Sequence, residues 1–284
     1  MKRPELIPTI AELRARLAPH RRAGSAIGLV PTMGALHAGH GRLIEQARRD
    51  CGIVVVSIFV NPIQFNQAAD YQRYPRDLDT DLAFCASRGV DYVFAPSEQE
   101  MYPEPLDTFV EVKRLTDHLC GPHRPGHFRG VTTVCAKLFM IVQPDKAYFG
   151  EKDAQQLAVI QRMVRDLNIP VEIVPVPTVR EADGLAISSR NLLLSRGGRR
   201  AAAAIYRALQ AAEAALAAGA REAAEAQRAA FEVLAAHPEI RVEYLQVVDA
   251  AEMQPVKVVA GPVRIAVAAW VDDTRLIDNI LWRP

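Results

Sequence analysis

At 284 residues the chain has room for one large or two medium domains, and 50% hydrophobic with 24% charged residues is globular usage able to bury a sizeable core. A formal net charge of +1 excludes a broad nucleic-acid or membrane-surface footprint, which needs a cationic excess, but leaves room for a local cationic pocket. No stretch approaches the ~20 uninterrupted apolar residues of a transmembrane helix, and Met1 to Ala11 has no apolar run of leader length, so a cytoplasmic protein is expected.

From Ala26 the chain alternates short apolar runs with helical patterns. Ala26 to Val30 reads as a strand and Gly41 to Arg49 as a helix. Ile53 to Val60, almost wholly apolar and β-branched, reads as a strand covered on both faces. Leu78 to Arg88 follows as a helix, with strands at Val90 to Phe94 and Phe109 to Val112. Val131 to Val142 carries an apolar helical face, Ala147 to Phe149 is a short strand, Gln155 to Leu167 a helix, and Val171 to Val174 the last strand of the series. Such alternation implies a parallel sheet wrapped by helices, with ligands beyond the carboxyl ends of its strands. After about Thr178 the composition changes. Ser195 to Gly198 reads as a break, Arg199 to His237 as two alanine-rich helices interrupted at Gly219, and Val242 to Val248 and Val263 to Val271 as strands of a small sheet. Cys51, Cys85, Cys120 and Cys135 form no C-x-x-C pair and read as buried, reduced thiols.

Four constellations carry candidate chemistry. The first is Pro31-Thr32-Met33-Gly34-Ala35-Leu36-His37-Ala38-Gly39-His40, between a strand and a helix. Gly34 and Gly39 allow a close turn, and the helix beyond offers unpaired N–H groups and a positive dipole end that suit phosphate. His37 and His40, three apart, can be aimed at one anion. Two histidines so spaced also suit zinc, but the H-E-x-x-H glutamate and a cysteine spacing are missing; ordinary surface histidines at a helix start are a further alternative. The second is Val60-Asn61-Pro62-Ile63-Gln64-Phe65, where Asn61 and Gln64 are uncharged donors for a substrate carboxylate or hydroxyl, or simply two exposed amides in a turn.

The third is Phe149-Gly150-Glu151-Lys152-Asp153-Ala154-Gln155-Gln156. Lys152 is a point charge for phosphate, Asp153 can cap the helix or bond a ribose hydroxyl, and Gln156 lies one turn on; a capping acid beside a solvated lysine is the plainer alternative. The fourth runs Val179-Arg180-Glu181-Ala182-Asp183-Gly184-Leu185-Ala186-Ile187-Ser188-Ser189-Arg190-Asn191. Ser188 and Ser189 beside the planar fork of Arg190 suit a loop that clamps a triphosphate, with Gly184 letting it move; a serine-arginine helix start is the alternative. Arg124, His127 and Lys137 add polar and cationic groups. Asp81, in the acidic run Asp77 to Asp81, is a candidate magnesium ligand or part of a solvated helix face.

PTMGALHAGH, SIFVNPIQF, RPGHFRGV, FGEKDAQQL and READGLAISSRN, in this order and spacing, resemble the pantothenate synthetase (pantoate–β-alanine ligase) family, closely over about Ile27 to Leu194. The resemblance implies an α/β fold: a Rossmann-like parallel-sheet domain over residues 1–178 that binds ATP and pantoate, and a smaller α+β lid domain over residues 179–284, in a homodimer. It implies that pantoate is joined to β-alanine while ATP goes to AMP and pyrophosphate through a pantoyl-adenylate, with magnesium accompanying the ATP. Met33 to His40 would contact ATP, with His40 catalytic and His37 assisting. Gly150 to Asp153, Val179 and Ile187 to Arg190 would complete the nucleotide site, Lys152 and Arg190 stabilising charge. Gln64 and Gln156 would bind pantoate. Ala154 and Cys135 stand where the family usually has tyrosine and valine, and Phe84 where a polar residue sometimes assists magnesium. The rival readings are a nucleotidyltransferase that keeps AMP on its product, a non-catalytic nucleotide-binding module, and a tRNA-charging enzyme, for which no anticodon-binding extension is visible.

Overall fold

Val54, Val55 and Val56 are consecutive in β3 (Ile53–Ile58), and all three are fully buried. Neighbours along a strand point to opposite faces, so this run needs apolar cover on both sides. In the computed structural model, which describes residues 3–284, it is a central strand of a six-stranded parallel sheet. Met1 and Lys2, where the segment inspected for a leader begins, lie outside the described residues. Across the sheet run β1 (Glu5–Ile7), β4 (Tyr92–Phe94), β3, β2 (Ile27–Thr32), β5 (Lys146–Gly150) and β6 (Glu172–Val176).

The helices up to residue 177 are α1 (Ile10–Arg22), α2 (Ala38–Asp50), α3 (Ala68–Arg73), α4 (Leu78–Ala86), α5 (Glu98–Met101), α6 (Cys120–His123), α7 (His127–Val142) and α8 (Ala154–Asp166). Leu43, Ile44 and Ala47 of α2, with Leu82 and Cys85 of α4, share one apolar cluster with Val30, Val54 and Val56. Leu29 and Val55, on the opposite face by alternation, are equally buried, so both faces are covered. β2 pairs with β3 on one side and β5 on the other. From β2 the chain first proceeds outward through β3 and β4, then resumes on the other side with β5 and β6. The gap between β2 and β5 is therefore the switch point, where ligands of such Rossmann-like sheets bind beyond the carboxyl ends of the strands.

The chain separates into two compact units. The first holds the parallel sheet and comprises the chain up to Val112, Arg124–Glu151 and Val159–Pro177; the second comprises Lys113–His123, Lys152–Ala158 and Thr178–Pro284. In the second, β7 (Ile240–Asp249), β8 (Val263–Val271) and β9 (Thr274–Trp282) form an antiparallel sheet in that order. α9 (Arg196–Ala217) and α10 (Ala223–Ala235) contribute Ala201, Ala208, Ala212, Ala226 and Ala230 to one core with Ile265 and Val267. Alanine on the facing stripes lets two helices approach closely.

Two expectations need correction. Phe109 to Val112 is not a strand: the Val110 N–H donates to Thr133 Oγ1 and its carbonyl accepts from Thr132 Oγ1, so side chains of α7 replace a ladder there. Ser195 to Gly198 is no break but the start of α9, with Ser195 as its N-cap accepting from Gly198 N. A Cβ on Gly198 would lie 2.3 Å from Asp272 Oδ2, which explains a glycine inside the first turn. β1, α1 and β9 were not anticipated from the pattern. The four cysteines are free and buried, as expected, and no helix among the described residues is long and apolar enough to cross a membrane.

Candidate active site

The segment after β2 is shaped by a carboxylate from α4. Gly34 and Ala35 are both left-handed, at φ +84 and +52, which turns the chain back before α2. The following amides point at Asp81: Ala35 N donates to Oδ2 at 3.0 Å and Leu36 N to Oδ1 at 2.7 Å. A Cβ on Gly34 would meet Asp81 Oδ2 at 2.9 Å, so glycine is required both for the turn and for the approach. Asp81 is 2% exposed. Burial pushes its carboxyl above the usual range, and the two amides pull it partly back.

Past this turn, His37 caps α2. Its Nδ1 accepts from Gly39 N at 3.1 Å, while His40 Nδ1 accepts from the His37 N–H at 3.2 Å. The ring centroids are 4.1 Å apart, tilted by 35°. Because each Nδ1 receives an amide proton, the proton of each neutral imidazole sits on Nε2. The helix N-terminus therefore presents two ring N–H donors together with its own positive end, a combination suited to an anion. A cavity of about 280 Å³ adjoins this segment, lined among others by Met33, Gly34, Phe59, Arg76, Asp81 and Glu98.

The turn after β3 supplies the second constellation. Asn61 donates through Nδ2 to Gln64 Oε1 at 3.0 Å and to Gly130 O at 3.1 Å, and accepts from the Tyr102 hydroxyl at 2.8 Å. It is 1% exposed and engaged with the protein on both sides of its amide. Gln64 Nε2 donates to Met33 Sδ at 3.0 Å, which joins this turn to the first one. Its main-chain carbonyl faces His127 Nδ1 at 2.9 Å. α7 presses so closely here that a Cβ on Gly130 would lie 2.4 Å from Ile63 O.

The candidates of the third and fourth constellations belong to the second unit, except Gly150, which ends β5, and Glu151 just after it, both in the first. Gln155 is buried and engaged by Leu115 O, His118 O and Cys120 N, whereas Gln156 is half-buried. The carbonyl of Lys152 accepts from Asn279 Nδ2 on β9 at 3.0 Å. Val179 O accepts from Ile187 N at 2.9 Å, closing a hairpin whose Gly184, at φ +92, packs against Tyr206. Ser188 Oγ accepts from Arg190 N at 3.2 Å and caps the turn Ser189–Leu193. Arg180 anchors this hairpin to β9 by two bonds to Asp278, at 2.6 and 3.0 Å. Lys152 and the Val179–Arg190 segment are thus both tied to the same pair of β9 residues.

The pantoate-beta-alanine ligase family model matches residues 5–281. This chain belongs to the pantoate-beta-alanine ligase family. It is 54% identical to the pantothenate synthetase of Moorella thermoacetica, over 98% of each chain. The crystal structure of pantothenate synthetase from Thermus thermophilus matches at TM-score 0.92 with 52% identity, covering 97% of this chain and 98% of the other. The ligase of Francisella tularensis, solved with beta-gamma ATP and beta-alanine, matches at TM-score 0.81 with 35% identity, over 98% and 97% of the chains.

Enzymes of this ligase family carry out the ATP-dependent condensation of pantoate with β-alanine. Residues outside the expected set support the family motifs here: Tyr102 behind Asn61, and Asp278 and Asn279 behind Lys152 and Arg180, while His127 of RPGHFRGV stands behind Gln64. The tyrosine and the two β9 residues lie far from the motifs in sequence, and no local spacing marks them. Asp81, expected as a magnesium ligand, is instead engaged by the turn before α2. Each of its oxygens receives a main-chain N–H, which makes the carboxylate a clasp for this turn. No three His, Cys, Asp or Glu side chains cluster for a metal among the described residues.

Proposed function

We propose that this protein makes pantothenate through a pantoyl-adenylate, with ATP lying along Met33–His40, Gly150–Asp153, Val179 and Ile187–Arg190. The observation that carries the reading is the pair of imidazoles at the α2 N-terminus, both with Nδ1 committed to main-chain amides and so both able to donate from Nε2. The carboxylate of pantoate, held by Gln64 and Gln156, attacks the α-phosphorus. The bond to the bridging oxygen breaks and pyrophosphate leaves in line. Such transfers depend on positioning and on stabilising charge, the part given to His40, His37, Lys152 and Arg190. The neutral amine of β-alanine then attacks the mixed anhydride. The amide forms, AMP leaves, and the amine proton passes to solvent. Asn61 serves by holding Gln64. Residues 179–284 act as the lid that keeps water from the anhydride. Magnesium comes with the triphosphate. The protein works as a cytoplasmic homodimer.

Pyrophosphate–ATP exchange tests the order of events. Exchange should require pantoate and proceed without β-alanine. Exchange that demanded β-alanine would replace the adenylate with a concerted route. A product that retained the nucleotide, in place of free AMP, would make the protein a nucleotidyltransferase.

A further inference from the structure

The side-chain amide of Gln64 has a direction, and the residue that holds it lies outside the motifs. Gly130 O can only accept, so the Asn61 atom 3.1 Å from it is the Nδ2 donor. That turns Asn61 Oδ1 toward Tyr102, whose hydroxyl donates to it at 2.8 Å. The other Nδ2 hydrogen points to Gln64 at 3.0 Å, so the Gln64 atom there is the acceptor Oε1. Nε2 is left on the far side, where Met33 Sδ, also an acceptor, lies at 3.0 Å. Two acceptors, Gly130 O and Met33 Sδ, with the one hydroxyl donor permit one orientation of both amides.

We propose that Tyr102 is a positioning residue for the acid substrate: through Asn61 it fixes Gln64 with its N–H groups toward the ligand, so that this position reads an accepting oxygen, carboxylate or hydroxyl, and refuses a donor. The proposal rests on Gln64 binding pantoate. Tyr102 follows α5 directly, with Phe59 beside its ring at a 6.0 Å centroid distance and Lys137 Nζ 5.2 Å from its ring centre. Burial holds its phenol well above the ordinary range, so it remains a donor at every working pH. Asn61 and Gln64, at 1% and 8% exposed, leave little room for water to replace a lost partner.

The test is steady-state kinetics on the full chain, with pantoate and ATP varied separately. Tyr102→Phe should raise KM for pantoate by about three- to tenfold with KM for ATP unchanged, and should lower Tm, because one buried acceptor is left unpaired. Gln64→Ala should raise it more, and Gln64→Ala/Tyr102→Phe no further, because the tyrosine acts only through the glutamine. A Gln64→Ala enzyme with normal pantoate KM would overturn the site reading itself. A normal Tyr102→Phe enzyme, or full additivity in the double variant, would overturn the positioning role and leave the site reading standing. Asn61→Ala cuts the same chain one link on and must reproduce the selective rise, which keeps the test open should Tyr102→Phe not fold.

Discussion

The Leu36 main-chain N–H donates to Asp81 Oδ1 at 2.7 Å, across 45 residues of sequence. With Ala35 N on the other oxygen, the carboxylate is a two-point clasp for the turn that feeds α2. Asp81→Asn keeps the shape but opposes an NH2 to one of these N–H groups. It should cost about 1–3 kcal/mol of stability, and KM for ATP should rise about tenfold. The magnesium dependence at saturating ATP should be unchanged. A variant needing far more magnesium, with normal Tm, would make Asp81 a metal ligand after all.

The same carboxyl gives a pH dependence of definite sign. Burial raises its folded value above the ordinary 3.8, so over the window above 3.8 the folded state binds the proton more tightly than the unfolded chain. Acidification through that window adds stability from this group, and the gain is lost again as pH rises. Function should move the other way, because the protonated carboxyl turns an O–H on a donor it had served. Wild type should gain Tm relative to Asp81→Asn as pH falls, while its kcat/KM for ATP declines on an acid limb that the variant lacks. Parallel profiles for the two proteins would remove the clasp from the argument.

Gly39→Ala separates stability from activity. Alanine is favoured over glycine inside a helix by about 0.5–1 kcal/mol, which offsets the cost of a lost cap, so Tm should change little. The new Cβ, however, would lie 2.9 Å from His37 Cε1 and 3.0 Å from its Nδ1. The imidazole must swing off its cap, and kcat should fall. Retention of full kcat would show that the His37 position has no bearing on rate.

The parallel sheet was legible because β2, β3 and β5 carry runs of buried apolar residues whose period and length admit little else. The motifs were legible as strand ends running into helices. What escaped was long-range in sequence. Asp81 was visible as an acid but not as a clasp, since its amide partners stand 45 and 46 positions away. Asn61 looked like a substrate donor, and only the fold shows Tyr102 and Gly130 occupying it. Residues 109–112 have strand composition, but the threonine hydroxyls of α7 reach their main chain first. The choice of Gln156 over Gln155 could be made from the resemblance alone; the contacts of Gln155 with residues 115–120 supply the physical reason.

His40 has two duties that substitution can part. Its Nδ1 caps the His37 N–H, and in the proposed reaction its Nε2 is the donor to phosphate. His40→Ala removes both and should lower kcat by about 10²–10³, the usual loss for one charge-stabilising donor. His40→Asn offers an oxygen near the Nδ1 position and should restore Tm without restoring rate. Steady-state kinetics showing less than a fewfold loss in the alanine enzyme would remove His40 from the mechanism.

Arg180 and Asp278 should matter for the fold before they matter for rate. Asp278 is 4% exposed, and burial raises its carboxyl even though the Arg180 guanidinium and the Asn279 N–H oppose that shift. The arginine also stacks on Tyr206, 3.8 Å from the ring centre, and donates to the Gly184 and Asn279 carbonyls. Arg180→Ala strands a buried carboxylate and should cost about 3–5 kcal/mol, read from denaturant or thermal unfolding. Removing the charge as well, in Arg180→Met/Asp278→Leu, should recover much of that stability, because two apolar side chains need no solvation. Activity should not recover with it. Asn279 holds the Lys152 carbonyl from the position next to Asp278, and the hairpin bearing Ser188 and Arg190 loses its anchor in either variant. A double variant with normal KM for ATP would mean that Lys152 and the hairpin keep their places without β9.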